Sequence, residues 1–463
     1  MRTESIFKLF FAGTIVSLFL TACGGGRGEP PPSYVVSGTA QGLQGSGLVL
    51  ELNGGNATAA VRLDVSISAS GSFSFPSPVQ NGTAFTVTVK TPPSNPDQVC
   101  GVSYFPDYID NGPFTNLSVR CVVPVGFAYV ANATSNNISG YARDSTGLLT
   151  PVLGFPIAAG LSPYSIAADP LSRFVYVANY GFGANSISAF TVNAASGALV
   201  PIPGSPFAAG TKPRFVTVHP TGKYLYAVNE SDNTVSAYAI NATSGILSAV
   251  PGSPFSTGAN PGAMAVDASG LYAFVTNRGT NNLSVFTIGV VDGALTPVPG
   301  APFATGKQPV SVVVDRQGKF VYVANYESET ISAYQLDRSI GTLGPIAGSP
   351  ISVAYLPTSL SMDPTNRFVF ELNALFGGSS GEVFAVDATT GVLTSLGVGT
   401  TPVANAMAFD ARGQFAYFLR NNTIAAYSFD SATGATTHIS AWPLSWQDAV
   451  TGDGPISVAI TNN

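Results

Sequence analysis

Charged residues are scarce in this chain of 463 residues, because Lys, Arg, Asp and Glu together make up only 10% of it, against roughly 25% in average globular proteins. Three of them, Arg214, Glu230 and Arg278, occupy neighbouring equivalent positions of an internal repeat. Guanidinium groups bind oxyanions, and a nearby carboxylate can orient them or transfer a proton. The three residues therefore form either a ligand site or an ion pair that stabilises adjacent repeats.

Aromatic residues occupy corresponding positions in other repeats. We expect Tyr164, Tyr180 and Tyr326 to be ligand-binding residues. Tyr180 and Tyr326 are expected to stack on a sugar or another ring, although aromatic residues after a strand are also common in packing. The two histidines lie far apart, and His219 stands at a turn position that is Asp in most other repeats. No zinc signature, phosphate loop or Gly-x-Ser-x-Gly motif is present, so no metal or cofactor is expected.

The repeat is the strongest signal in the sequence. The runs FAYVAN, FVYVAN, YLYAVN, YAFVTN, FVYVAN, FVFELN and FAYFLR are spaced 47 to 50 residues apart, and they begin at Phe127, Phe174, Tyr224, Tyr272, Phe320, Phe368 and Phe415. Most are preceded by a run that starts with Pro and ends in Asp or His, and all are followed by another alternating run. Four strands in about 48 residues are typical of a propeller blade.

The two ends of this region complement each other. The segment GPISVAITNN is a first strand without a second, and the run from Phe127 is a second strand without a first. Their pairing gives seven blades with circular closure over residues 124–463, and it removes free edges. Residues 34–123 show short alternating runs, with Asn53-Gly54 and Asn81-Gly82 as turns, and predict a small β-sandwich. The fold class is therefore all-β.

Antiparallel pairing places the start of the first strand and the end of the second strand of every blade on one face. Two rings of residues therefore surround one mouth of the propeller. The first ring holds Tyr164, Arg214, Gly262, Val310, Thr358, Asn405 and Ile456. The second ring holds Ala133, Tyr180, Glu230, Arg278, Tyr326, Ala374 and Asn421.

The amino terminus has the pattern of an export signal. Residues 1–22 have a short basic start and an apolar run, and they end in Leu-Thr-Ala before Cys23, which resembles the bacterial lipobox. A simple secretory signal is the alternative. We expect a lipid on Cys23, a Gly/Pro-rich tether over 23–33 and anchoring at the cell envelope. Gly24 rather than Asp after the cysteine favours the outer membrane where there are two.

Cysteine usage and charge limit the partners. Cys100 and Cys121 remain once Cys23 is lipidated, and two cysteines in an exported chain predict a disulfide. The formal net charge of −6 without a basic stretch argues against nucleic-acid binding. The expected partners are a small molecule or an envelope protein, with the membrane contacted through the lipid, and a monomer is expected.

About 340 residues resemble the lactonase family of seven-bladed propellers, which includes 6-phosphogluconolactonases and carboxymuconate-lactonising enzymes. The stretch KPRFVTVHPTGKYLYAVNESDNTVSAY and the turn Asn277-Arg278-Gly279 carry the resemblance. It implies that Arg214 and Arg278 clamp an oxyanion or carboxylate. Glu230 would then be the acid/base or the group that orients Arg214. Two family histidines are replaced here by Tyr164 and Phe215. The strand ends also resemble YVTN repeats of cell-surface proteins.

Two functions are compatible with these observations. In the first, the propeller mouth of an envelope protein binds a small anionic or carbohydrate ligand, or a protein. In the second, Arg214, Glu230 and Arg278 hydrolyse a sugar or organic-acid lactone. A carbonyl-attacking water needs a base, for which imidazole is the usual choice near neutral pH.

Overall fold

The computed structural model describes residues 31–56, 59–103, 107–373, 381–398, 401–420, 422–439, 448–450 and 455–462. Every regular element in these ranges is a β-strand. No helix among them is long and apolar enough to cross a membrane. The predicted signal segment and Cys23 lie outside the described residues.

Nine strands precede the propeller, and most of them form two sheets, in the orders β5-β2-β9-β8 and β4-β3-β7, while β1 pairs with β6. The inner faces of the two sheets share one apolar core. The strands are β1 (Ser33–Tyr34), β2 (Val36–Gln41), β3 (Leu48–Asn56), β4 (Ala59–Ile67), β5 (Gly71–Ser74), β6 (Val79–Gln80), β7 (Ala84–Thr91), β8 (Val99–Ser103) and β9 (Phe114–Val122).

The predicted disulfide is confirmed. Cys100 in β8 lies directly opposite Cys121 in β9, with 4.0 Å between their Cα atoms. The prediction of a turn at Asn53-Gly54 was wrong, because β3 continues through both residues to Asn56. Gly54 pairs with Phe85 of β7, and a Cβ atom added to this glycine would lie 2.8 Å from the carbonyl oxygen of Ala84. The glycine permits close approach of two strands rather than a turn.

Seven sheets follow, and in blades two to seven the innermost strand comes first in the chain, whereas blade one receives its innermost strand from residues 455–460. Blade one holds β10 (Gly126–Asn132), β11 (Asn137–Arg143), β12 (Leu149–Pro151) and β13 (Ile157–Ala158); blade two holds β14 (Pro163–Ala168), β15 (Phe174–Asn179), β16 (Ser186–Val192), β17 (Leu199–Pro201) and β18 (Phe207–Ala208); blade three holds β19 (Pro213–Val218), β20 (Tyr224–Asn229), β21 (Thr234–Ile240), β22 (Leu247–Ala249) and β23 (Phe255–Ser256).

The remaining blades follow the same order. Blade four holds β24 (Pro261–Val266), β25 (Tyr272–Asn277), β26 (Asn282–Ile288), β27 (Leu295–Pro297) and β28 (Phe303–Ala304); blade five holds β29 (Pro309–Val314), β30 (Phe320–Asn325), β31 (Thr330–Leu336), β32 (Leu343–Pro345) and β33 (Ile351–Ser352); blade six holds β34 (Ser359–Met362), β35 (Phe368–Leu372), β36 (Glu382–Val386) and β37 (Leu393–Val398); blade seven holds β38 (Ala406–Phe409), β39 (Phe415–Arg420), β40 (Thr423–Phe429), β41 (Thr436–His438) and β42 (Asp448–Val450).

The outermost strand of most blades is split into two short pieces, a detail that the four-strand repeat did not predict. In blade two, β17 and β18 both pair with β16, one with each end of it. The cis peptide bond of Ser205-Pro206 lies between the two pieces. The other three strands of each blade agree with the prediction.

The ring is completed by β43 (Pro455–Ile460), which pairs antiparallel with β10 and supplies the innermost strand of blade one. The innermost strands contact one another in the order β43, β14, β19, β24, β29, β34, β38 and again β43. The prediction of an all-β fold with a seven-bladed propeller is therefore confirmed. The hydroxyl of Thr461 also accepts a hydrogen bond from the backbone N–H of Phe127 at 2.9 Å.

Tyrosines in the second strand of five blades connect each of these blades to the next. The hydroxyl of Tyr129 donates to the carbonyl oxygen of Gly197 in blade two at 2.8 Å. The same link recurs as Tyr176 to Gly245, Tyr226 to Gly293, Tyr322 to Gly391 and Tyr417 to Gly147. All five tyrosines are buried, so the aromatic residue of each repeat is explained by packing between blades.

Candidate functional site

A cavity of about 730 Å³ lies at the centre of the ring. All seven residues of the predicted first ring line it, together with Arg278 and Tyr326 of the second ring. Tyr180 and Glu230 lie behind this lining, in contact with Arg214. Ala374 and Asn421 lie outside the described residues.

Backbone bulges place the first-ring residues. Pro213 pairs with Asn229 and Phe215 with Val228, so Arg214 is one extra residue in the ladder of β19 and β20. Tyr164, Val310 and Ile456 are extra residues at the same place in their blades. A bulge redirects a side chain that would otherwise alternate across the sheet. The Pro-led start of these four innermost strands therefore directs one side chain toward the cavity.

The three predicted charged residues are in contact. Nη1 of Arg214 lies 2.8 Å from Oε2 of Glu230, and Nη1 of Arg278 lies 3.5 Å from the same oxygen. The hydroxyl of Tyr180 donates to Oε1 of Glu230 at 2.9 Å. The side chains of Arg214, Glu230 and Arg278 are 20%, 15% and 30% exposed, so the cluster is shielded but open on the side of Arg278.

Arg214 is held by two aromatic rings as well as by Glu230. Its Cζ lies 4.8 Å from the ring centre of Tyr164 and 6.0 Å from that of Tyr180, and its Nη2 donates to the hydroxyl of Tyr164 at 3.2 Å. The rings of the two tyrosines are 5.0 Å apart. Cation–π contacts of this kind fix a guanidinium in one orientation. Burial, and then the neighbouring Glu230, raise the pKa of Tyr180, so its hydroxyl stays protonated as a donor.

Arg278 has fewer partners than Arg214. Its contact with Glu230 is at the long end of the hydrogen-bond range, and its Nε has no hydrogen-bond partner among the described residues. Gly262 lies beneath its side chain, where an added Cβ atom would lie 3.0 Å from Cδ of Arg278. Arg278 therefore combines a position in the cavity wall with a side chain that is 30% exposed, although its Nε itself is buried.

Among the described residues that line the cavity, the charged side chains are Arg214 and Arg278, and no carboxylate or imidazole is present. His219 lies at the opposite end of β19 from Arg214, roughly 16 Å along the strand. Its Nε2 is 2.9 Å from the carbonyl oxygen of Gly270, in keeping with a structural role. His438 is in the outer strand β41.

Tyr326 follows β30 and lines the cavity from blade five, next to the blade that carries Arg278.

In the parts of the chain that the structure describes, no group of three His, Cys, Asp or Glu side chains could hold a metal ion. Sequence reasoning missed that Glu230 lies behind the two arginines, because the direction of a side chain after a strand end does not follow the strand period.

Residues 159–355 match the family model described as "Lactonase, 7-bladed beta-propeller". This segment extends from just before blade two to just after blade five, so the match covers four of the seven blades. No curated protein matches the chain.

Two solved structures show the same architecture. One is a putative 6-phosphogluconolactonase from Bacteroides fragilis, with a TM-score of 0.61, 20% identity, and coverage of 73% of this chain and 98% of the other. The other is a periplasmic gluconolactonase from Pseudomonas aeruginosa, with a TM-score of 0.59, 19% identity, and coverage of 73% and 99%. At these identities the likeness concerns the fold.

Proposed function

We propose that the propeller cavity binds a small anion carrying a carboxylate, such as an organic acid or a sugar acid. The observation that carries this proposal is the composition of the cavity wall. Among the described residues that line the cavity, the charged ones are Arg214 and Arg278. Arg–carboxylate pairs are strong because the planar guanidinium can donate two parallel hydrogen bonds. Arg278 is the more exposed of the two arginines, 30% against 20%, so its guanidinium is the more accessible to a ligand.

The surroundings of the cavity favour the same ligand class. Glu230 neutralises one of the two guanidinium groups, and Lys212 adds a cation behind them, with its Nζ 5.6 Å from the ring centre of Tyr180. The cavity edge is thus positive, whereas the whole chain has a formal net charge of −6. A local positive charge in an acidic protein attracts anions to one place.

Isothermal titration of the soluble chain that starts after Cys23 tests this function. The probes are D-gluconate, citrate and benzoate, with D-glucose as the neutral comparison. We expect at least one carboxylate to bind, and Arg278→Ala to weaken its binding by tenfold or more. Arg316→Ala removes the same charge from an exposed turn and should leave binding unchanged. Equal affinities of Arg278→Ala and the unmodified chain would overturn the proposal.

Lactone hydrolysis is the second candidate, and the two gluconolactonase-type structural neighbours favour it. In this reaction Glu230 would take a proton from water while the oxygen adds to the lactone carbonyl. Arg214 and Arg278 would stabilise the resulting oxyanion. The ring C–O bond would then break, and Glu230 would return the proton to the ring oxygen. The position of Glu230 behind the arginines argues for an orienting role instead.

A turnover assay with D-glucono-1,5-lactone and simple aliphatic lactones separates the two candidates. A hydrolase should lose turnover in Arg214→Ala/Glu230→Ala, checked for folding, whereas a binding protein should show no turnover above that variant.

Anchoring at the cell envelope is a further part of the proposal, and it rests on the sequence around Cys23. Expression in a bacterium should place the protein in the membrane fraction. Cys23→Ser should release it to the soluble fraction, with Cys100 and Cys121 left in place. Membrane association that is unaffected by Cys23→Ser would contradict lipid anchoring.

A further inference from the structure

The wall of the cavity is chemically asymmetric. Its guanidinium groups belong to blades three and four, and Tyr164 of blade two lies against them. The same first-ring position holds Val310 in blade five and Ile456 in blade one. The same bulge position therefore places a polar side chain in the cavity wall in blades two and three, and an aliphatic side chain in blades five and one.

The apolar side continues into the channel. Two residues further along the innermost strands, the cavity is lined by Val312, Leu360, Met407 and Val458, from blades five, six, seven and one. Thr358 and Asn405 add uncharged polar groups at the mouth of the same half. Ser311, Ser359 and Ser457 also line this half, and the Oγ atoms of Ser311 and Ser457 accept hydrogen bonds from the backbone N–H groups of Leu360 and Ile166. This half of the cavity thus offers a polar rim above a largely aliphatic surface.

Extending the proposed function, on which this inference rests, we infer that the ligand is an amphipathic carboxylate. Its carboxylate binds Arg278, and its alkyl or aromatic part covers the aliphatic surface around Val310 and Met407. A cavity of about 730 Å³ lies within the range of small-molecule sites, roughly 300–1,000 Å³. A fully hydroxylated acid would place its hydroxyl groups against aliphatic side chains, where they lose hydrogen bonds to water without replacement.

A series of linear monocarboxylates from butanoate to decanoate, kept below micellar concentrations, tests the inference by titration. Each methylene that enters the apolar half should increase affinity by about fourfold. D-Gluconate should bind more weakly than octanoate. Arg278→Ala should weaken binding of the whole series by a common factor, leaving the gain per methylene unchanged.

Polar variants of the apolar side make the complementary test. Val310→Thr and Met407→Gln keep the approximate volumes and should reduce the gain per methylene, whereas Val200→Thr on an exposed outer strand should not. If D-gluconate binds but affinity does not depend on chain length, the inference is wrong and the proposed function stands. If no carboxylate binds, both are wrong.

Discussion

Glu230 accepts hydrogen bonds from Arg214 and Tyr180 and a longer one from Arg278, so its lone pairs are engaged by groups of the protein itself. A carboxylate in this position is anchored, and it competes with any ligand anion for the two guanidinium groups. Glu230 therefore distinguishes the two candidate functions. As a carboxylate it would weaken the binding of an anion, whereas lactone hydrolysis would need it to take a proton from water.

Glu230→Gln should raise the affinity for a carboxylate ligand by about fivefold, since removing a charge near the guanidinium groups is worth roughly 1 kcal/mol at solvent-like dielectric. Titration of a carboxylate into both forms measures the change. A lactone hydrolase predicts instead that turnover is lost. Tighter binding together with unchanged background hydrolysis would favour the binding function, and weaker binding would contradict it.

Tyr164 stands where the resemblance to lactonases places a histidine, and it lines the cavity in contact with Arg214. Tyr164→His introduces an imidazole, which is basic near neutral pH. We expect turnover of D-glucono-1,5-lactone to rise above that of the unmodified chain and to increase with pH through about 6.5. Tyr164→Phe is the control, and equal turnover in both variants would show that the missing base is not what limits hydrolysis.

At the scale of strands, blade six contains two carboxylates in an unusual arrangement. Glu371 in β35 lies opposite Glu382 in β36, and the two residues are 1% and 6% exposed. Ser395 donates a hydrogen bond to Glu382, and the backbone N–H of Glu382 donates to Glu371. Burial, together with the charge of Glu382, raises the pKa of Glu371 to about 8.

This pair predicts a pH dependence of stability. Between about pH 4.5 and 8 the unfolded chain has lost the Glu371 proton while the folded chain keeps it. Stability should therefore fall as pH rises through this window, by up to about 1.4 kcal/mol per unit, and become level above it. Urea unfolding from pH 5 to 9 measures the slope. Glu371→Gln should flatten it, whereas Glu327→Gln at an exposed site should not, and identical slopes in all three proteins would contradict the assignment.

The tyrosine links between blades give a second prediction at this scale. Tyr226→Phe leaves the carbonyl oxygen of Gly293 without its partner and should lower the free energy of unfolding by about 1 kcal/mol. Phe274 and Phe370 occupy the equivalent position in blades four and six, so the ring alone fits there. Thermal unfolding of Tyr226→Phe and of Phe274→Leu separates loss of the hydrogen bond from loss of packing. An unchanged melting temperature in Tyr226→Phe would show that the hydrogen bond contributes nothing.

The propeller could be predicted from the repeat. Equivalent residues recur about every 48 positions, and their positions indicate where each strand starts and which residues face the next blade. The same period located Arg214 and Arg278 at one mouth. It could not show that Glu230 lies behind them, since side-chain direction after a strand depends on neighbouring blades. The pair Asn53-Gly54 predicts a turn, but glycine permits both turns and close strand contact, and only the position of β7 distinguishes the two.

At the scale of the whole molecule, blade one is assembled from two distant parts of the chain. Arg143 in β11 is buried, and it donates to the side chain of Asn462 at 2.6 Å and lies 3.6 Å from Asp410 of blade seven. It therefore connects blade one to blade seven and to the segment that follows β43.

Arg143→Ala should destabilise the propeller by about 3 kcal/mol, because it leaves the buried Asp410 without a cation. Chemical denaturation measures the loss. Arg420→Ala, at an exposed end of β39, should change stability by less than about 0.5 kcal/mol. Equal stability of the two variants would show that this contact does not hold the ring together.

The pairing of β10 with β43 also imposes an order of events during protein synthesis. Phe127 and Thr461 are 334 residues apart, so at about 5–20 residues per second the ribosome takes roughly 17 to 67 seconds to produce the second after the first. Throughout that interval β10 is an unpaired edge that can recruit strands from other nascent chains. Translation that stops before residue 455 therefore leaves an open ring, and the cell must shield this edge or remove the fragment.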